Sequence, residues 1–403
     1  MSDNSNTTLG NKRYVILVAG MIIQLCAGII YMWSEFKGPV NTYLNGDFTM
    51  TASIMLVSFV MGILIGGQIL DRVGCRPTCI AGSILMSVGI LASSFVTSES
   101  GSLIYITYGV MGGFGVGTIY TCTVSPIQKW FFDKRGFATG MMVCSFGFSL
   151  VIFAPLAKYL LREAGVPDTF RIFGIAFLVI CTITSFLIVN PPADYSASPN
   201  KTSVLSSQKQ YTTKEMFGRK SFYLITFSLF FMLSVYFALN PNFKSLGIDR
   251  GLTDDMATIG IMVTGICSAS GRLTVTWISD KIGRVNAMFF IISLSAIGAI
   301  AVIFANGVLF IVCIAAISFA FGGAAGIYAT VTADHFGTKN MGSNYGFVML
   351  GFGASALVFM YLSKQLSTGM DFTVPLVITA LACVAAFICV LLLKTQRNDQ
   401  PTS

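Results

Sequence analysis

Twelve apolar runs of about 20 residues constrain this chain more than any other feature. They begin near Tyr14, Thr51, Thr78, Ser102, Ala138, Phe170, Phe222, Met256, Val285, Val308, Tyr345 and Phe372. Each is long enough to cross a hydrocarbon core of about 30 Å as a helix. Only 10% of the 403 residues are charged and 54% are hydrophobic, against about 25% charge in soluble domains. The predicted fold class is therefore an all-α membrane protein with twelve transmembrane helices. No small-residue cleavage site follows the first run, so that run reads as a retained helix rather than a signal peptide.

The basic residues orient the runs. With a cytoplasmic N-terminus, 17 of the 25 Lys and Arg fall on the cytoplasmic side and seven on the other, with Arg272 alone inside a run. By the positive-inside rule this places both termini in the cytoplasm of a multi-pass plasma-membrane protein. The net charge of +8 then reflects topology, and no nucleic-acid partner is expected. Eight of the ten cysteines lie within apolar runs, and the single histidine, His335, argues against a metal centre. The runs hold no paired carboxylates and no nucleophile–base pair, so an enzyme is not expected. A lysine-bearing phosphate loop is missing too, so no direct use of ATP and no cofactor are predicted.

Arg272 stands in the eighth run, Met256 to Trp277, which carries no other charge. Burying a guanidinium there costs at least ~2.5 kcal/mol, so a water-filled cavity or a partner is expected around it. Its helical neighbours Gly265, Ser268, Ala269 and Thr276 make a small, polar stripe. One reading is an anion site; the other is a structural arginine that caps carbonyls or snorkels to the cytoplasmic interface.

The chain also repeats. A polar stretch from Pro191 to Arg219 separates six runs from six, as parallel repeats require. The predicted organisation is an N-terminal tail 1–13, a six-helix bundle 14–190, a cytoplasmic loop 191–220, a second bundle 221–393 and a tail 394–403. After the second run comes Gly67-Gln-Ile-Leu-Asp71-Arg72-Val-Gly74-Cys-Arg76; after the eighth comes Asp280-Lys281-Ile-Gly283-Arg284. The two aspartates are 209 residues apart, and Tyr120 and Tyr328, each beside a Gly-rich segment, are 208 apart.

These duplicated loops resemble the signature of the major facilitator superfamily over the whole chain. The resemblance implies two pseudo-symmetric six-helix bundles with a binding site between them, and a gate in which the loop carboxylate meets a helix N-terminus and a nearby arginine. A narrower likeness joins Tyr31-Met-Trp33, Trp130-Phe-Phe-Asp133-Lys134-Arg135-Gly136, Arg272, Asp334-His-Phe-Gly-Thr-Lys-Asn340 and Asn344-Tyr-Gly-Phe347. Together these are similar to the oxalate/formate antiporter family and the related monocarboxylate porters. Where the family's oxalate exchanger has a lysine in helix eleven for the second carboxylate, this chain has Phe352. Where that exchanger has a glutamine in helix one, this chain has Ile30. One cation suits one carboxylate, so lactate, pyruvate or formate is favoured over oxalate.

Expected substrate contacts are Arg272, Tyr31, Tyr120, Tyr328 and Phe352, with packing as the competing role for each aromatic residue. Gly67, Asp71, Arg72, Gly74, Arg76, Asp280, Lys281, Gly283 and Arg284 form the expected gating motifs. In the seventh run, Tyr236, Asn240 and Pro241 share a neighbourhood suited to a bend near the outer end, with substrate contact there as the alternative. Glu35 is the one carboxylate near a helix interior, at an outer mouth. With no buried proton carrier apparent, alternating-access anion exchange is the preferred function, with a counter-anion as partner alongside lipid. Proton-linked symport and a non-transporting ligand sensor are the alternatives, and the protein is expected to be monomeric.

Overall fold

The computed structural model describes residues 2–192, 209–367 and 371–398. Central-loop residues 193–208, with Lys201, and tail residues 399–403 lie outside the described residues. Among those described, eleven helices are long and apolar enough to cross a membrane. They are Lys12–Leu44 (α1), Met50–Val73 (α2), Cys75–Phe95 (α3), Arg135–Glu163 (α5), Gly165–Ser185 (α6), Lys220–Asp249 (α7), Asp254–Ile282 (α8), Arg284–Phe304 (α9), Val308–Phe336 (α10), Met341–Leu366 (α11) and Thr373–Thr395 (α12). The span between α3 and α5 is composite. A π-helical stretch, Tyr105–Gly112, runs directly into an α-helix, Gly113–Trp130; together they form α4, which completes the twelve.

Three details depart from uniform helix. The α1 helix begins at Ser2, so the polar residues ahead of the first apolar run are helical as well. Midway it tightens into a 3-10 turn over Gly28–Met32 before resuming as Trp33–Leu44. In α7, a 3-10 turn at Asn240–Asn242 carries Pro241 at its start, at the position expected for a bend.

The chain packs as two compact units. The first comprises 1–138, 145–210 and 336–347; the second comprises 139–144, 211–335 and 348–403. Residues 139–144 of α5 and 341–347 of α11 thus group with the unit that does not hold the rest of their helix.

Within each unit the helices approach through glycine. A Cβ on Gly62 of α2 would overlap the carbonyl oxygen of Phe114, and one on Gly113 of α4 would overlap that of Met55. In the second unit Gly271 of α8 meets the Phe319 carbonyl, and Gly322 of α10 meets that of Ser268. Gly62 and Gly271 are 209 residues apart, as are Gly113 and Gly322, so the duplication extends from the loops to the helix contacts. Lipid tails are as apolar as leucine, so close packing of small residues is what holds such helices together.

Other faces are turned outward and greasy. Ile183, Ile297, Phe304 and Leu381 are each more than 60% exposed, a surface suited to acyl chains rather than water. Helix ends are closed locally. Gly74 (φ +103°) and Gly283 (φ +88°) end α2 and α8 in a conformation that residues with a Cβ rarely adopt. Arg250 donates to the carbonyls of Val302, Ile303 and Ala305 at 3.0–3.1 Å, satisfying the last acceptors of α9.

Candidate functional site

In the first unit, Asp71 closes α2 against the opening of α11. Its carboxylate accepts the backbone N–H groups of Gly342 at 3.2 Å and Ser343 at 2.7 Å, which belong to the first turn of the helix beginning at Met341. Such a position is favourable for an anion, because these N–H groups have no partner within their own helix and the helix dipole points its positive end there. The approach needs glycine on both sides: a Cβ on Gly67 would overlap Gly342, and one on Gly342 would crowd Gly67 and Asp71. Arg72 and Arg76 of the same motif are exposed.

The second copy of the motif is wired differently. Asp280 pairs with Arg284 at 2.6 Å, and the same guanidinium binds Asp334 at 2.9 Å and the Ser279 hydroxyl at 2.5 Å. Lys281 lies over the Trp277 ring, 4.5 Å from its centroid. Of the two contacts expected for the motif aspartate, Asp71 makes the one to a helix N-terminus and Asp280 makes the one to an arginine.

Arg272 is buried in the second unit, 2% exposed. Among the described residues only Arg135 is a comparably buried ionic side chain. Arg135 opens α5 at a helix end, where its Nε donates to the Gln128 carbonyl at 3.3 Å, whereas Arg272 lies well inside α8. Its Nη1 donates to the Val143 carbonyl at 3.4 Å. Ser268, Ala269 and Thr276 on the same face are buried, while Ile259, Met262 and Ile266 on other faces are exposed. Thr276 turns its hydroxyl onto the Arg272 carbonyl, and Gly140 and Gly326 pack against this stretch so closely that a Cβ on either would overlap Thr276. The repeat places Ile63 of α2 209 residues before Arg272, so the cation marks a point where the two halves differ.

The aromatic candidates fall into two clusters. In the first unit the Tyr31 and Tyr120 rings both meet Phe146 edge-on, at 5.3 and 5.5 Å, and Phe59 joins Tyr120 at 5.6 Å. Gln24 lies behind them, fully buried, and donates to the Thr123 hydroxyl at 2.7 Å. In the second unit Phe352 sits 5.2 Å from Phe237 and 6.2 Å from Phe321, and Phe321 stacks on Tyr236 at 3.7 Å. Phe146 and Phe352 are 206 residues apart, and Tyr31 and Tyr236 are 205 apart, close to the repeat offset. Tyr328 stands outside this cluster: it is buried and donates its hydroxyl to Ser228 at 3.0 Å. Glu35 pairs with Lys158 at 3.5 Å.

Sequence reasoning missed Ser343 and Phe146 as partners of the named residues; it singled out Tyr236 at the bend of the seventh run, and the structure stacks that ring on Phe321. No sequence signal reveals the Asp71–Ser343 contact, which joins positions 272 residues apart.

Comparison with known proteins agrees with this architecture. The chain matches the Major Facilitator Superfamily over residues 15–359. It is 28% identical to the uncharacterized MFS-type transporter YhjX of Escherichia coli K12, over 86% of each chain. It is 25% identical to the oxalate:formate antiporter of Oxalobacter formigenes, over 95% of this chain and 91% of that one. Monocarboxylate transporter 12 of Xenopus laevis is 24% identical over 68% of this chain and 63% of its own length. Among solved structures, the Escherichia coli fucose:proton symporter FucP superposes with a TM-score of 0.71 at 14% identity, covering 94% of this chain and 99% of that one. The duplicated helix contacts, the twelve spans and the profile match together make this multi-pass membrane protein a non-enzymatic member of the major facilitator superfamily.

Proposed function

We propose that the protein is a secondary active transporter of a small monocarboxylate, working by alternating access and exchanging one anion for another. The observation that carries this reading is Arg272, a guanidinium buried well inside a transmembrane helix. Burying a charge there is costly, and a carboxylate accepting its two-point grip offsets that cost. The empty carrier then resists reorientation and the loaded carrier does not, which is the requirement for exchange.

The likeness to an oxalate:formate antiporter and to monocarboxylate transporters supports the carboxylate class. Phe352 favours one carboxylate over two, since its neighbours Phe237 and Phe321 offer no second cation. Tyr31 and Tyr120 in the first unit, and Tyr328 and Phe352 in the second, are the proposed lining residues. Asp71 with Gly67 and Gly74, and Asp280 with Arg284 and Gly283, are the proposed gating elements; Arg72, Arg76 and Lys281 complete their motifs. The 17-to-7 division of basic residues supports cytoplasmic termini and bundles over 14–190 and 221–393.

The test is flux into liposomes holding the purified protein, using labelled lactate, pyruvate, formate and oxalate with and without internal unlabelled anion. Monocarboxylate uptake that requires internal anion, and that is lost in a folded Arg272→Gln variant, is expected. Uptake into empty vesicles driven by a proton gradient would replace exchange with symport. Saturable binding without flux would make the protein a sensor, and oxalate as the best substrate would overturn the Phe352 argument.

A further inference from the structure

Two irregular stretches of the first unit meet at one hydrogen bond. The 3-10 turn of α1 spans Gly28–Met32, and the π-helical stretch of α4 spans Tyr105–Gly112. Tyr108, fully buried in that π stretch, donates its hydroxyl to the carbonyl oxygen of Ile29 at 3.0 Å. Its ring packs on Trp33 at 5.0 Å, Phe170 at 5.7 Å and Phe36 at 6.0 Å. A side-chain donor placed on a helix carbonyl competes with the regular ladder of backbone bonds, a recognised cause of local rewinding. At the N-terminal edge of the turn, Gly28 leaves no room for a Cβ against Ser149. The overwound segment is thus held at its first two residues, Gly28 and Ile29, with the Tyr108 ring against Trp33 just beyond its end.

Winding matters because of what the turn carries. Five residues at 3.0 rather than 3.6 residues per turn rotate the chain by about 100° more than α-helix would. Tyr31 lies within these five residues, and its ring meets Phe146. Relaxation of the turn to α-helix would swing the Tyr31 side chain away from that contact.

The second unit holds a similar arrangement. The Ala238 carbonyl accepts the Ser363 hydroxyl at 2.7 Å in the second unit, two residues before the 3-10 turn at Asn240–Asn242. In the first helix of each half, then, a carbonyl in or just before a 3-10 turn accepts a side-chain hydroxyl, from a different donor in each case.

We propose that Tyr108 is a positioning residue for ligand recognition: its bond to Ile29 holds the overwound turn of α1 and so fixes the direction of Tyr31. This rests on the assignment of Tyr31 as a ligand contact. Hydrogen-exchange mass spectrometry on the Tyr108→Phe protein, which keeps the ring, reads the turn directly and needs no ligand. Exchange of backbone amides 28–33 should rise about fivefold, the effect of losing one buried hydrogen bond. In proteoliposomes, Tyr108→Phe and Tyr31→Phe should each raise the KM for labelled lactate several-fold with little change in kcat, and the double variant should be no worse than the more affected single one.

Unchanged amide exchange overturns the latch, whatever the protein transports. Faster exchange with KM effects that multiply in the double variant overturns the route through Tyr31. Faster exchange with KM unmoved by Tyr31→Phe overturns the recognition role and removes Tyr31 from the ligand contacts, while leaving Arg272 and the transport reading to their own test.

Discussion

Replacing Asp71 with asparagine probes the gate with almost no change in shape. The carboxylate receives two N–H groups, at 3.2 and 2.7 Å, from the first turn of α11. Hydrogen bonds to an ionised acceptor contribute about 1.5–3 kcal/mol and neutral ones about 0.5–1.5, so loss of the charge weakens the shorter bond by about 1–2 kcal/mol. The amide can offer only one oxygen, and its NH2 group would face the second N–H. The favourable interaction with the helix N-terminus, about 0.3–1 kcal/mol, goes too. The sum is about 1.5–3 kcal/mol, which corresponds to roughly 10- to 150-fold faster opening of that turn. Hydrogen-exchange mass spectrometry of a peptide covering 336–347 measures it, with a peptide from α9 as the unaffected reference. Exchange within twofold of wild type would refute the view that the Asp71 charge holds this junction closed.

Three further perturbations test other parts of the structure. Arg272→Lys keeps the charge but loses the planar fork, so monocarboxylate exchange should fall at least tenfold while thermal stability stays close to wild type; wild-type flux would count against a two-point grip. Phe352→Lys places a second cation among Phe237 and Phe321. It should shift preference from lactate toward oxalate in competition assays, and an unchanged ratio would separate Phe352 from specificity. Gly322→Leu drives a branched side chain into the Ser268 carbonyl and should cost several kcal/mol of packing, read as a fall in melting temperature and in yield of folded protein.

How much of this was legible in the sequence varies with the physics involved. The spans could be read directly, because a 20-residue apolar run has few other uses, and Arg272 stood out because a lone cation in such a run is costly. The repeat was visible in Asp71 and Asp280, where solvent-facing turns limit the residues that can serve. The interior of the runs was not legible. Tyr108 and Ser363 look like ordinary packing residues in sequence, and their hydrogen bonds to Ile29 and Ala238 depend on helix contacts 79 and 125 residues away. The π stretch at Tyr105–Gly112 shares its composition with the regular helices around it, so no local pattern announces it. Asp280 shows the same limit from the other side. The motif copies agree in sequence, but Arg284, itself paired with Asp334, gives the second aspartate an ion-pair partner where the repeat offset places Cys75 in the first copy.

The proposed pairing of a monocarboxylate with Arg272 also sets how the carrier would respond to voltage. A single charge moved through the full membrane field is worth about 2.3 kcal/mol per 100 mV. With a monocarboxylate on Arg272 the moving assembly carries no net charge, so one-for-one exchange of monoanions runs at a rate that membrane potential barely alters. A dianion would leave one negative charge on the loaded form, and every half-cycle would then carry current. The two half-cycles of a dianion exchange move charge in opposite directions and cancel over a full cycle, so the voltage dependence of the exchange rate in vesicles under an imposed potential, rather than a steady current, separates a monoanion from a dianion.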